Sequence, residues 1–106
     1  MTKGMRTVRV NLPATPKRER RATVFTRRQG QFLAFIYLYH KLHRRPPAEL
    51  DMAKYFRVTP PSVHMMVVKL EELGLIAREP GVARSIRVTI PKEEIPELED
   101  VDAPPW

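Results

Sequence analysis

The chain has 106 residues, 42% of them apolar, with no cysteine and a formal net charge of +7. That length accommodates one domain with tails and no large enzyme cleft, and the absence of cysteine excludes disulfides, thiolate metal sites and a Cys nucleophile. The charge is uneven: residues 1–28 carry nine Lys/Arg against one Glu, residues 29–90 nine against five, and residues 91–106 one Lys against six acids.

A basic arm, a mildly basic body and an acidic tail point to a polyanionic partner. Met1 to Arg6 lead into no apolar core of signal-peptide length. The longest apolar run, Phe32 to Tyr39, falls far short of the roughly 20 residues a membrane helix needs. A soluble, cytoplasmic protein with no membrane contact is expected.

Residues 1–24 read as a basic N-terminal arm, partly disordered. Val8, Val10 and Leu12 alternate with Arg9 and Asn11, the pattern of a short strand, which Pro13 and Pro16 end. Lys17-Arg18-Glu19-Arg20-Arg21 is a basic cluster with no apolar face. A folded domain is expected over 25–90. It opens with Thr26 and, three residues later, Gln29, which is a capping-box pattern. The first helix should run to about His43, because Pro46-Pro47 bar its continuation. Its middle is apolar almost all round, more than the single stripe a surface helix buries. A second helix fits Ala48 to Phe56, with Leu50, Met52, Ala53 and Phe56 turned inward. Arg57-Val58 form a tight connection. Thr59 then caps a third helix that has Pro60 at its first position, where no N–H is needed. It runs to Leu73, with Gly74 as the C-terminal cap and Val63, Met66, Val67, Leu70 and Leu73 on one buried face. Two strands follow, over 75–79 and 85–90, with Pro80-Gly81 turning between them. Residues 91–106 read as an acidic, Pro-rich C-terminal tail, loosely ordered and solvated.

Three helices, the last two closely joined, followed by a hairpin make the fold mainly α with a small β-hairpin. The architecture expected is a winged helix-turn-helix, a three-helix core plus a two-stranded wing. In such a fold the third helix fits the width of the DNA major groove, and its N-terminal N–H groups suit a phosphate. Its outer face carries Pro61, Ser62, His64, Met65, Val68, Lys69 and Glu72. Ser62, His64 and Met65 are the candidates for base contacts, joined by Thr59 and Pro61 where the helix begins. Lys69 and Arg57 are candidates for phosphate. Arg84, at the hairpin tip, could reach the minor groove or a flanking phosphate, and Arg87 lies on the same wing. Arg27 and Arg28 open the first helix, where positive charge opposes the helix dipole unless an anion lies close.

Several stretches in this order resemble the DNA-binding domain of the LexA repressor family. They are Phe25-Thr26-Arg27-Arg28-Gln29, Pro46-Pro47 followed by Glu49 and Asp51-Met52-Ala53, Thr59-Pro60-Pro61-Ser62-Val63, Lys69 to Ile76, and Ala83 to Arg87. The resemblance covers roughly residues 25 to 90 and implies a transcriptional regulator, more specifically a repressor. Members of that family continue into a self-cleaving, dimerising protease domain with a Ser/Lys pair. The chain ends about sixteen residues after the wing, so neither cleavage nor that dimer interface is carried over. The family's glycine between the second and third helices is replaced by Arg57-Val58. His64 and Met65 stand where the family has polar or acidic groups, so its operator is not carried over either.

No enzyme is expected, and no cofactor or metal. His40 and His43 are one helical turn apart without further ligands to complete a metal set. Adjacent acids such as Glu71-Glu72 and Glu93-Glu94 diverge on a helix instead of flanking a substrate. There is no phosphate-cradling glycine loop and no Gly-x-Ser-x-Gly elbow. The expected partner is double-stranded DNA, with the protein nucleoid-associated when bound. A homodimer could form through the surplus face of the first helix or through the N-terminal strand, since one such domain buries little surface on DNA. The alternative is a winged-helix protein-protein interaction module with only non-specific DNA affinity. The apolar residues Pro61, Met65 and Val68 on the outer face favour that reading, because fold does not fix function.

Overall fold

The computed structural model describes residues 24–99. The arm with its Val8–Leu12 strand and the basic cluster at 17–21 lie outside the described residues, as does the end of the tail from residue 100. Three helices come first: α1 (Arg27–His43), α2 (Glu49–Phe56) and α3 (Pro60–Glu72). A two-stranded antiparallel hairpin follows, β1 (Ile76–Ala77) and β2 (Arg87–Val88), in the register Ile76 to Val88 and Ala77 to Arg87. A single 3-10 turn, Lys92–Glu94, comes last. The fold is mainly helical and compatible with a winged helix.

Each helix begins where its sequence provides a cap. The Thr26 hydroxyl accepts the Gln29 N–H at 3.1 Å, and the Gln29 side chain accepts the Thr26 N–H at 2.8 Å, so two otherwise orphaned donors are satisfied reciprocally. At α2 the Asp51 carboxylate accepts the Ala48 N–H at 2.8 Å. At α3 the Thr59 hydroxyl accepts the Ser62 N–H at 3.3 Å, with Pro60 in the first position. Gly74, at φ 77°, takes the left-handed conformation that ends the α3 region and turns the chain into β1.

The core lies where the three helices meet the hairpin. Phe32, Leu33 and Ile36 of α1, Met52 of α2, and Val63, Val67 and Leu70 of α3 are essentially without solvent exposure, and Leu75, Ile76 and Ile86 close the wing side. Phe32 stacks on Phe56 with ring centroids 4.2 Å apart, and Phe35 meets Tyr55 at 4.9 Å. These offset and tilted contacts place α2 squarely on α1.

Two expected core residues are exposed. Leu50 is 55% exposed and Leu73 46%. At 3.6 residues per turn, Leu50 points about 110° away from the middle of the arc defined by Met52, Ala53 and Phe56. Leu73 is the C-cap of α3, where the chain leaves the helix before the side chain can join the buried face.

The strands are also shorter than their alternation suggests. Beyond Ala77 a side chain takes over from the ladder: Ser85 Oγ accepts the Glu79 N–H at 2.9 Å and donates at the carbonyls of Val82 and Glu79. Arg84, at φ 56°, turns the backbone left-handed beside it.

Residues 91–99 are packed along α1, contrary to the expectation of a loose, solvated segment. Gln31 is buried at 1% exposure. Its side-chain N–H donates to the Glu97 carbonyl at 2.9 Å, and its carbonyl accepts the Glu99 N–H at 2.7 Å. Tyr55 donates to the Glu99 carbonyl at 3.3 Å, and Leu98 packs against the core. Gly30 makes room for this segment: a Cβ there would stand 2.8 Å from the Phe25 ring and 2.9 Å from Pro96. The surplus apolar face of α1, at Ala34, Tyr37 and Leu38, thus lies beside Ile95, Pro96 and Leu98 of the same chain.

Candidate nucleic-acid interface

The close connection between α2 and α3 is made by Arg57, which ends α2 in the left-handed conformation at φ 58°. That is the role a glycine fills without steric cost. The Val58 N–H returns to the Ala53 carbonyl at 3.1 Å, and Thr59 then starts α3 immediately. With Val63, Val67 and Leu70 buried, the opposite side of α3 is left to solvent.

Pro61, Ser62, His64, Met65 and Lys69 are all exposed on that side, Met65 at 73%. His64, Met65, Val68, Lys69 and Glu72 line one shallow, open depression. Thr59 donates its hydroxyl proton to Ser62 Oγ at 2.9 Å, so the Ser62 proton stays available to an outside acceptor. Thr59 itself is committed to the cap.

His64 is anchored from another helix. Its Nδ1 lies 3.2 Å from both carboxylate oxygens of Glu49, the first residue of α2. Glu49 is 3.7 Å from Arg78 Nη1, and Arg78 Nε donates to Glu71 at 3.0 Å. The four side chains form one connected polar chain that joins α2, the residue after β1 and α3. Sequence reading missed Glu49, Arg78 and Glu71. No spacing rule unites positions 49, 64, 71 and 78, which come together only through packing.

Arg84 does not project from the wing tip. Its guanidinium turns inward and donates to Asp51 at 3.0 Å, Tyr39 Oη at 3.2 Å and the Pro46 carbonyl at 3.4 Å. Burial works to raise the Asp51 carboxyl pKa. The Ala48 backbone N–H, then the charge and hydrogen bond of Arg84, outweigh it and hold Asp51 below its ordinary value. The Tyr39 hydrogen bond is the largest influence on Arg84, raising its pKa further against some desolvation, with the Asp51 charge adding to it.

The remaining candidates are dispersed. Arg57 is exposed next to the start of α3. Arg87 is exposed on β2 and shares a groove with Tyr37, His40 and Lys41 of α1. Arg27 opens α1, 3.6 Å from Glu99, whose carbonyl accepts from Tyr55 near the end of α2, and Arg28 beside it is half-buried. The structure therefore brings together Arg57, Thr59, Pro61, Ser62, His64, Met65 and Lys69. It commits Arg84 to holding the wing.

Among the described residues no group of three or more His, Asp or Glu side chains could hold a metal ion. No helix among them is long and apolar enough to cross a membrane.

Known proteins are similar to a large part of this chain. The LexA repressor of Thermosipho melanesiensis is 37% identical over 70 residues, 66% of this chain and 35% of its own length. That of Thermosipho africanus is 41% identical over 61 residues, 58% of this chain and 31% of its own. Over that stretch the chain is LexA-like. The LexA repressor of Thermotoga neapolitana is 36% identical over 64 residues, covering 60% of the chain and 32% of the relative. The chain thus spans about a third of the length of these LexA repressors, which fits a LexA-like N-terminal domain. No family model matches the chain.

Proposed function

We propose that the protein is a sequence-specific double-stranded DNA-binding transcriptional regulator, a repressor, with α3 reading the major groove. The supporting observation is the exposed face of α3 from Pro61 to Lys69, held at a capped helix start by the Arg57 turn. It occurs in a chain similar to proteins named LexA repressors. Ser62, His64 and Met65 are the base readers, with a donor, a ring nitrogen and an apolar tip. Arg57 and Lys69 neutralise phosphates beside them, and Arg87 does so from the wing. Arg84 contributes by setting the position of the wing, and Arg27 and Arg28 act as peripheral phosphate contacts.

Two copies on adjacent half-sites would supply the affinity one such domain lacks. Because residues 91–99 lie along α1 beside Ala34 and Leu38, a dimer contact on this helix would use its C-terminal end, where Leu42 is 75% exposed.

Selection of binding sites from random duplex DNA at near-physiological salt tests the reading. The expected result is an enriched motif, and two copies at a fixed spacing indicate a dimer. Binding without enrichment that fades uniformly with salt overturns it. That outcome favours a protein-interaction module, a role to which the exposed Met65 and neighbouring Val68 lend themselves.

A further inference from the structure

On α3 the side chain best placed to read a base is His64, and its ring is held from outside the helix. A carboxylate only accepts hydrogen bonds. With Nδ1 at 3.2 Å from both Glu49 oxygens, the ring hydrogen must sit on Nδ1. In a neutral imidazole the other nitrogen, Nε2, then carries a bare lone pair and accepts. No hydrogen bond to Nε2 occurs among the described residues, and the side chain is 56% exposed. Glu49 is itself fixed from the other side: Arg78, 3.7 Å away, is tied in turn to Glu71. The charges facing the ring are therefore Glu49 and Arg78 from the neighbouring elements, with Lys69 and Glu72 along its own helix.

We infer that Glu49 is a positioning residue that sets the base preference of His64, making Nε2 a hydrogen-bond acceptor that selects an amino base, adenine or cytosine, over a keto base, guanine or thymine. This rests on the proposed reading of the major groove by α3. The chemistry of the groove supplies the discrimination. Adenine N6 and cytosine N4 offer donors there, whereas guanine presents N7 and O6 as acceptors and thymine presents O4 and a methyl group. An acceptor facing an acceptor leaves two lone pairs opposed and one hydrogen bond unmade. Without Glu49 the ring could exchange tautomers and take either role, so the discrimination would relax even though His64 remained.

The test has one arm without DNA and one with it. Nitrogen-15 NMR of the free protein at mildly alkaline pH reports the tautomer of His64 directly. The Nδ1–H form is expected in the wild type, and a mixture shifted toward Nε2–H in Glu49→Ala. A wild-type ring already in the Nε2–H form overturns the inference whatever the protein binds. The second arm measures affinity for a selected site and for its variants carrying all four base pairs at each position.

One position is expected to favour adenine or cytosine by roughly tenfold, toward the lower end of what a wrong base pair usually costs. His64→Ala and Glu49→Ala should both flatten that position and leave the preferences at other positions intact. A Glu49→Ala protein that keeps the wild-type preference, or a His64-dependent position that favours guanine, overturns the inference while the regulator reading stands. A wild-type protein with no preference at any position defeats both, and the NMR arm shows whether Glu49 nonetheless orders the ring.

Discussion

The buried side chain of Gln31 accepts the backbone N–H of Glu99 at 2.7 Å, across 68 residues of sequence. With its second bond to the Glu97 carbonyl, the carboxamide acts as a strand partner would, satisfying one backbone donor and one backbone acceptor of the segment. Replacing Gln31 by Ala removes both bonds and leaves backbone groups to compete for water, a loss of about 1–3 kcal/mol. Thermal unfolding should register the loss. Limited proteolysis should cut near 91–99 in the variant before it cuts the helices.

Gly30 gives a second handle on the same segment. Ala is favoured over Gly inside a helix by about 1 kcal/mol, but its Cβ would press on Phe25 and Pro96. Gly30→Ala should leave the melting temperature nearly unchanged and speed amide exchange at residues 97–99, because the segment yields before the helix does. Unchanged exchange there would show that Phe25 and Pro96 can move aside without undocking the chain.

Asp51 makes stability depend on acid. Its pKa is lower in the fold than its ordinary value of 3.8, so the folded state binds fewer protons there than the unfolded state. The contribution is fully present above the unfolded value and is lost as pH falls through the lower, folded one. Asp51→Asn should cost about 1–2 kcal/mol near neutrality. The gap between mutant and wild-type melting temperatures should close only below pH 3.8.

Arg57 holds a conformation that costs a side-chain-bearing residue about 1 kcal/mol. Arg57→Gly should stabilise the fold by ~0.5 kcal/mol, the relief being partly offset by the greater freedom of glycine in the unfolded chain. Under the proposed function, its DNA affinity should fall by a similar factor on every sequence. Chemical denaturation and binding titrations would therefore move in opposite directions for a single change.

Lys69→Ala should weaken binding to all sequences alike and lower the slope of log affinity against log salt by about 1, as expected for one phosphate contact. A change confined to one base position would instead make Lys69 a base reader.

The helices were legible because their signals are local. The Thr26/Gln29 box, the Thr59-Pro60 start, Pro46-Pro47 and Gly74 act within a turn or two of where they stand. The hairpin was legible as an alternation but not in its length, because Ser85 and Arg84 close the wing through side chains that ladder patterning ignores. The packing of 91–99 was hidden for another reason. An acidic, proline-rich stretch resembles solvated chain, and Gln31, which stands just before the apolar run Phe32 to Tyr39, gives no local sign that its side chain is buried. On the candidate interface, exposure of the outer face of α3 followed from which residues were buried. The inward turn of Arg84 and the grip of Glu49 on His64 depend on distances between elements that no single stretch encodes.

The three bonds of Arg84 join the wing to both α1 and the start of α2. A hairpin fastened through its connecting loop behaves as a fixed ruler. Under the proposed function, the separation between α3 and the wing is set before DNA arrives, and the duplex must supply the matching spacing. Sequences flanking the site would then be sorted by how easily their twist and groove width accommodate that span, at positions no side chain touches. Loosening the ruler with Arg84→Ala should blur this sorting while preserving what α3 reads directly.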